Sequence, residues 1–263
     1  MALITWGFKR QILYIIILVL FVSFFGFIII YPSLNKTPTC FDNKQNAEET
    51  GIDCGGLCAR ACIADLDDIS VLWARTFEVI PGRYNAVAYL VNHNKNAAVR
   101  KINYRFRLAD KNNVYIGKRE GSAVVPPGRN FAIFEPGIDI GSTIPVYVTF
   151  EFTQTPVWFQ VPEEKINQLK VSISDIQLSD ENTSPRLTAS VKNNSLFTIP
   201  NIGFVVILYD ALGNAVSTSR TYLEQLGSLQ STDINFTWPM PFVGTVVTKE
   251  IIPMYDIFSV KLK

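Results

Sequence analysis

Histidine is almost absent from this chain of 263 residues, and His93 is the only one. A hydrolase triad or a histidine-based metal site would depend on this single residue, which lies in the polar stretch VNHNKN. The GxSxG, P-loop and HExxH motifs are absent as well. We therefore predict that the protein is not an enzyme and that His93 is an ordinary loop residue.

The chain also has almost no net charge, because 23 acidic residues balance its 24 basic ones. Proteins that bind nucleic acid through its phosphates carry a clear excess of Lys and Arg. The balance in this chain argues against nucleic acid as a partner.

Charged residues are missing altogether from Ile12 to Tyr31. Twenty helical residues extend about 30 Å, the thickness of a bilayer core. Lys9 and Arg10 precede this run and Lys36 follows it, so the positive-inside rule places residues 1–10 in the cytoplasm and residues 32–263 outside. A cleaved signal peptide is the alternative, but its apolar region would be shorter and a small-x-small cleavage site would follow. We predict a single-pass cell-membrane protein with a helix at 11–31.

Cysteine occurs in one short segment only, at Cys40, Cys54, Cys58 and Cys62. Outside the membrane, four clustered cysteines in a segment with few large apolar residues indicate two disulfides, which can pair in three ways. A four-cysteine zinc site is the alternative, but the segment has neither a Cys-x-x-Cys pair nor a nearby histidine. We predict a disulfide-stapled cysteine-rich module over residues 32–65.

Hard oxygen ligands recur in the same module at Asp42, Asn46, Glu49 and Asp53, spaced four, three and four residues apart. Such ligands in a glycine-containing loop are what calcium requires, so calcium is the one cofactor that the sequence suggests. The alternative is a polar loop in which Asp and Asn cap turns.

The segment resembles a cysteine motif of bacterial surface proteins, C-x-D-G-x-x-N-x-x-E-T-x-x-D-C-G-G-x-C-x-x-C. The four oxygen ligands match, as do Cys40, Thr50, Cys54, Gly55, Gly56 and Cys58. Asn43 replaces the usual glycine, and three residues, Ala59-Arg60-Ala61, precede Cys62 where the motif has two. The resemblance implies surface exposure and no particular activity.

The remainder of the chain repeats itself with an offset of 100 residues. Ile102, Tyr104, Phe106, Leu108 and Asp110 correspond to Ile202, Phe204, Val206, Leu208 and Asp210, and the offset extends without a gap to Val91/Val191 and Asn94/Asn194. We predict two copies of one domain, at 66–161 and 162–263.

Apolar and polar residues alternate with period two within each copy, as in KINYRFRLAD. A turn follows, DKNN or DALGN, and then a second strand, which together predict a hairpin. We expect seven short strands per copy, the last of them Phe258–Leu262 in copy two. The predicted fold class is mainly β: an N-terminal transmembrane helix, a disulfide-stapled module and two tandem antiparallel immunoglobulin-like sandwiches.

The stretch Phe204–Asn214 resembles the strand and turn of the FxLYD family, immunoglobulin-like modules of prokaryotic surface proteins. The match in copy two is carried by Leu208, Tyr209, Asp210, Gly213 and Asn214, with Phe204 one residue farther upstream than the family name implies. Copy one keeps only Leu108 and Asp110. The resemblance implies a non-catalytic extracytoplasmic module without an active site.

The outward residues of the central strand differ between the copies. In copy two they include Val205, Ile207 and Tyr209, so we predict an interface with copy one or with a partner chain. In copy one, Arg105 and Arg107 form a basic face with Lys118 and Arg119. This face suits an anionic polymer or lipid headgroups, or is a solvated face that discourages edge pairing.

These observations predict a membrane-anchored extracytoplasmic protein with a structural, adhesive or accessory role. Its expected partners are the membrane and other envelope or surface proteins. The alternative function is a binding or sensor subunit for an anionic or calcium-linked ligand.

Overall fold

The computed structural model describes residues 6–34, 39–46 and 48–261. Within these ranges the chain is mainly β, with one long N-terminal helix and two disulfides in the module that follows it. This confirms the predicted fold class at that level. Residues 1–5, 35–38 and 47, which belong to the predicted tail and module, lie outside the described ranges.

The long helix α1 covers Trp6–Leu34 and begins inside the predicted cytoplasmic tail. Its 29 residues extend about 44 Å, more than a bilayer core. None of the 18-residue apolar window found between Trp6 and Ile29 is buried against the rest of the chain. The helix is therefore not the core of a soluble fold, and its length and composition suit either a membrane anchor or a signal sequence.

The first sandwich packs two antiparallel sheets face to face. One sheet has the order β1-β2-β5, and the other has the order β4-β3-β6, with β7 also paired to β3. The strands are β1 (Ser70–Ile80), β2 (Arg83–Val91), β3 (Ala97–Ala109), β4 (Tyr115–Val125), β5 (Asn130–Asp139), β6 (Tyr147–Phe152) and β7 (Trp158–Gln160).

The second sandwich follows the short helix α2 (Glu163–Gln168) and repeats the arrangement with the orders β12-β9-β8 and β11-β10-β13. Its strands are β8 (Val171–Ser179), β9 (Arg186–Asn193), β10 (Ile199–Tyr209), β11 (Ala215–Leu226), β12 (Ser231–Thr237) and β13 (Thr248–Met254).

The predicted seventh strand of copy two, Phe258–Leu262, is wrong over its described residues, which form a turn and then irregular chain. The Asp256 carboxylate accepts the Phe258 N–H at 2.8 Å, and the Asp256 carbonyl accepts the Ser259 N–H at 3.1 Å. These bonds turn the chain, because they occupy amide groups that a strand would need for its ladder. Leu262 lies outside the described residues.

The core residues of β3 lie where the alternation of apolar and polar residues predicts them. Ile102, Tyr104, Phe106 and Leu108 of β3 point inward and are buried, while Arg105 and Arg107 lie on the other face. The central hairpins of the two copies also share one register, since Ile102 pairs with Ala123 and Ile202 with Leu223.

The uniform offset of 100 is wrong next to this hairpin. Asn92 and Asn193, which are 101 residues apart, make the same hydrogen bond. Each is buried, and its side-chain carbonyl accepts a hydrogen bond from the N–H of the residue two positions later, at 3.0 Å in both copies. The true partner of Asn193 is thus Asn92, and the pairing of Asn94 with Asn194 rested on a coincidence of residue type.

Candidate functional site

The two disulfides of the cysteine module join Cys40 to Cys58 and Cys54 to Cys62. Of the three pairings that the sequence left open, the structure thus has the interleaved one. Since every cysteine is oxidised, none can supply a thiolate, and the cluster of Cys40, Glu49 and Cys58 has only one group left to bind a metal.

The four predicted calcium ligands lie together, but they bind one another and the backbone. The Asp53 carboxylate accepts the Asp42 N–H at 2.9 Å and the Asn43 N–H at 3.1 Å. Asp42 accepts the Asn46 side-chain amide at 2.8 Å, and Glu49 accepts the Asn46 backbone N–H at 3.2 Å. The hydrogen bond donated by the Asn46 side-chain amide also lowers the pKa of the Asp42 carboxyl. With so many lone pairs facing N–H groups, the set fits turn capping, while the buried side-chain oxygen of Asn46 has no hydrogen-bond partner among the described residues.

Two adjacent glycines allow the module to close on itself. Gly55 and Gly56 have φ values of +74° and +55°, in the left-handed region. A Cβ at Gly55 would lie 1.7 Å from the Thr50 hydroxyl oxygen, and one at Gly56 would lie 1.7 Å from the Glu48 carbonyl oxygen. Asn43, which replaces the glycine of the motif, has φ +56°, a conformation that asparagine tolerates well.

We expect Gly56→Ala to loosen the cysteine module selectively, because it adds a backbone clash to the cost of a left-handed alanine. The left-handed conformation alone costs about 1–2 kcal/mol, and the clash should bring the loss to about 3 kcal/mol. Hydrogen exchange of the Gly55 and Cys58 amides, which bond to Arg60 and Gly55, should speed up about 100-fold.

Gly141→Ala is the matched control for this substitution. Gly141 has φ +63°, but a Cβ there would meet no atom within 4 Å. If both variants cost the same, the contact with Glu48 would be irrelevant to the module.

The module is a cap on the first sandwich rather than a free stalk. The Ala61 N–H donates to the Trp158 carbonyl at 3.1 Å, and the Gln160 N–H donates to the Ala59 carbonyl at 2.8 Å. Arg60 thereby forms a bridge to Phe159. The three residues that depart from the cysteine motif therefore cover the edge of β7, where an uncovered edge would invite pairing.

The predicted interface residues of β10 lie against the first sandwich. Val205 and Ile207 are buried in one apolar cluster with Val87 and Phe134 of the opposite sandwich, and Tyr209 packs beside it. This contact covers the outward face of each sandwich. Because β10 is thereby buried on both of its faces, its sequence is apolar on both sides.

A carboxylate anchors the polar rim of this interface. Glu250 accepts the Tyr89 hydroxyl at 2.8 Å and the Tyr209 hydroxyl at 2.9 Å, one from each sandwich. Burial, followed by the bond to Glu250, raises the pKa of Tyr89 to about 12 and also raises that of Tyr209. Both hydroxyls therefore stay protonated at neutral pH and remain donors across the interface.

The predicted basic face is a ladder of ion pairs. Arg105 contacts Glu120 at 2.6 Å and Glu151 at 3.3 Å, on the two strands beside it. The remaining pairs are Arg107–Glu151, Lys118–Glu120 and Arg119–Glu135, at 2.8, 3.2 and 3.3 Å. Exposed pairs of this kind add little stability, but they neutralise the face and leave little charge for an anionic ligand.

A cleft of about 570 Å³ lies between the sandwiches, next to the interface, and sequence reasoning missed it. Asn201, Arg220 and Tyr222 line it from the second copy, and the Arg220 guanidinium lies 5.4 Å from the Phe134 ring of the first. No local pattern marks such a site, because it exists only once two copies dock. His93 does not line it and is exposed in the loop before β3.

Comparison with known proteins gives no family. No family model matches the chain, and no curated protein matches it. Among solved structures it is similar to red sea bream transglutaminase, with 10% identity and a TM-score of 0.23 over 71% of this chain and 31% of that one. It is also similar to a β-glucuronidase from glycoside hydrolase family 2, with 10% identity and a TM-score of 0.23 over 83% of this chain and 29% of that one. The chain thus spans about a third of the length of either structure.

Proposed function

We propose that the protein is a membrane-anchored, non-catalytic surface protein that holds a rigid pair of immunoglobulin-like sandwiches outside the cell membrane. One observation carries this proposal: all four cysteines are paired in a module that directly follows an apolar helix with no burial against the protein. Disulfides persist in oxidising compartments, and a helix of this composition needs lipid to cover it.

The docked sandwiches suit a structural or accessory role. Val205 and Ile207 join the two copies through an apolar cluster, and Glu250 joins them through tyrosines. Such a unit presents one fixed surface to other envelope or surface proteins. The hairpin with Asp210 at its turn, whose carboxylate accepts the Leu212 and Asn214 N–H groups, supports the likeness to FxLYD modules.

The orientation can be tested by labelling single added cysteines in intact cells. Leu212 is 87% exposed on the β10–β11 turn, so we expect Leu212→Cys to react with a membrane-impermeant maleimide. Leu3→Cys, which precedes the helix in the sequence, should react only after permeabilisation. Wild-type protein should remain unlabelled until its disulfides are reduced.

The reverse pattern, with Leu3→Cys labelled first, would contradict the proposed orientation. Wild-type cysteines that react without reductant would contradict the oxidising compartment. Each result therefore addresses a different part of the proposal.

A further inference from the structure

Between residues 39 and 65, the cysteine module exposes every large apolar side chain that the structure describes. Phe41, Ile52, Leu57 and Ile63 are 81, 62, 83 and 61% exposed. In the sandwiches, the same residue types fill the cores, where Phe106 and Ile202 are fully buried. A small module that turns every large apolar group outward has a surface suited to an apolar environment.

The two disulfides place these side chains in two pairs, one pair beside each bridge. Phe41 and Leu57 are each next to a cysteine of the Cys40–Cys58 bridge, whose Cα atoms are 5.6 Å apart. Ile52 and Ile63 flank the Cys54–Cys62 bridge, with Cα atoms 5.1 Å apart, and both line one groove together with Val157 of the first sandwich.

The chain length keeps this module at the membrane. Helix α1 ends at Leu34, and the first bridged cysteine is Cys40. Six residues span at most about 20 Å when fully extended, and the headgroup layer itself takes up about 5–8 Å of that distance. Once the helix crosses a bilayer, the module has little room to leave the surface.

We propose that Phe41, Ile52, Leu57 and Ile63 insert into the interfacial layer of the bilayer and seat the two sandwiches on the membrane. This docking rests on the proposed membrane anchor. Between residues 39 and 65 the chain has five acidic residues and two basic ones, a net charge of −3. The attraction is therefore apolar, and zwitterionic lipid is the favoured surface, because anionic lipid would repel the module.

Tryptophan quenching in nanodiscs of phosphatidylcholine tests the docking with the full chain. Phe21→Trp reports helix insertion, because Phe21 lies in the middle of the uncharged run of α1. Trp73, Trp158 and Trp238 lie in the sandwiches and remain in every variant, so the emission of each added tryptophan is taken as the difference from the Trp6→Phe chain. Phe21→Trp, Leu57→Trp and Ile63→Trp are each made in a Trp6→Phe background, and Leu212→Trp in the same background is the control. With brominated phosphatidylcholine, the emission of either module tryptophan should fall by about half, as expected for a side chain at interfacial depth, and that of the control should not change.

The outcomes separate the two proposals. Quenching of Phe21→Trp without quenching of Leu57→Trp and Ile63→Trp would leave the anchor standing and overturn the docking. If Phe21→Trp is not quenched either, the membrane anchor fails and the docking fails with it. Quenching that grows when phosphatidylglycerol is added would overturn the apolar basis of the docking.

Discussion

The double substitution Val205→Glu/Ile207→Glu should separate the two sandwiches. It places two carboxylates in a cluster where Val205 and Ile207 are 2% and 0% exposed, facing Val87 and Phe134. Burying an unpaired charge costs several kcal/mol, so the docked state should lose about 4 kcal/mol or more. The loss cannot exceed the docking free energy, because the sandwiches can part and let water reach the carboxylates.

Thermal unfolding provides the measurement, since two sandwiches that no longer stabilise each other should melt in two steps instead of one. Small-angle scattering should show a larger radius of gyration for the same reason. Leu212→Glu/Val243→Glu is the matched control: it adds the same charge to the same sandwich at positions that are 87% and 96% exposed. A double variant that keeps a single melting transition and the original radius of gyration would show that this cluster does not hold the sandwiches together.

Much of the fold follows from local patterns. The uncharged run predicted α1, the alternation in KINYRFRLAD predicted the buried face of β3, and the cluster of four cysteines predicted two bridges. Each of these features depends on residues close in sequence, with a period or spacing that one type of structure requires.

The features that escaped prediction depend on register or on docking. The partners of Arg105 are 15 and 46 residues away, on neighbouring strands, so the basic face could be seen as neutralised only once the pairing was known. The segment from Asn92 to Ile102 is one residue longer than the segment from Asn193 to Ile202, and β3 has a register shift between Val99 and Ile102. This extra residue shifts the repeat and produced the false match of Asn94 with Asn194. Phe258 alternates with polar residues as a strand residue would, yet its ring packs 5.8 Å from Phe159 of the other sandwich.

The corrected alignment identifies Asn193 as a residue whose replacement should strongly destabilise the second sandwich. Its side-chain amide donates to the carbonyls of Phe197, Leu226 and Gly227 at 2.7, 3.1 and 2.8 Å. Its oxygen accepts both the N–H and the hydroxyl of Ser195, at 3.0 and 2.7 Å. One fully buried side chain thus links the end of β9, the start of β10 and the end of β11.

Asn193→Asp should lower the free energy of unfolding by about 3–5 kcal/mol at pH 7, because it removes three donated bonds and buries a carboxylate against three carbonyls. Burial and the carbonyls should raise the pKa of the new carboxyl above its unfolded value. The folded state then binds the proton more tightly, so the deficit should shrink as the pH falls from 7 to about 4. Urea denaturation across this pH range is the measurement.

Asn194→Asp is the adjacent control, since Asn194 is exposed and its side-chain amide donates only to the Ser172 hydroxyl. Equal losses in the two variants would mean that the buried amide does not hold these strands together and that the 101-residue correspondence with Asn92 has no energetic meaning.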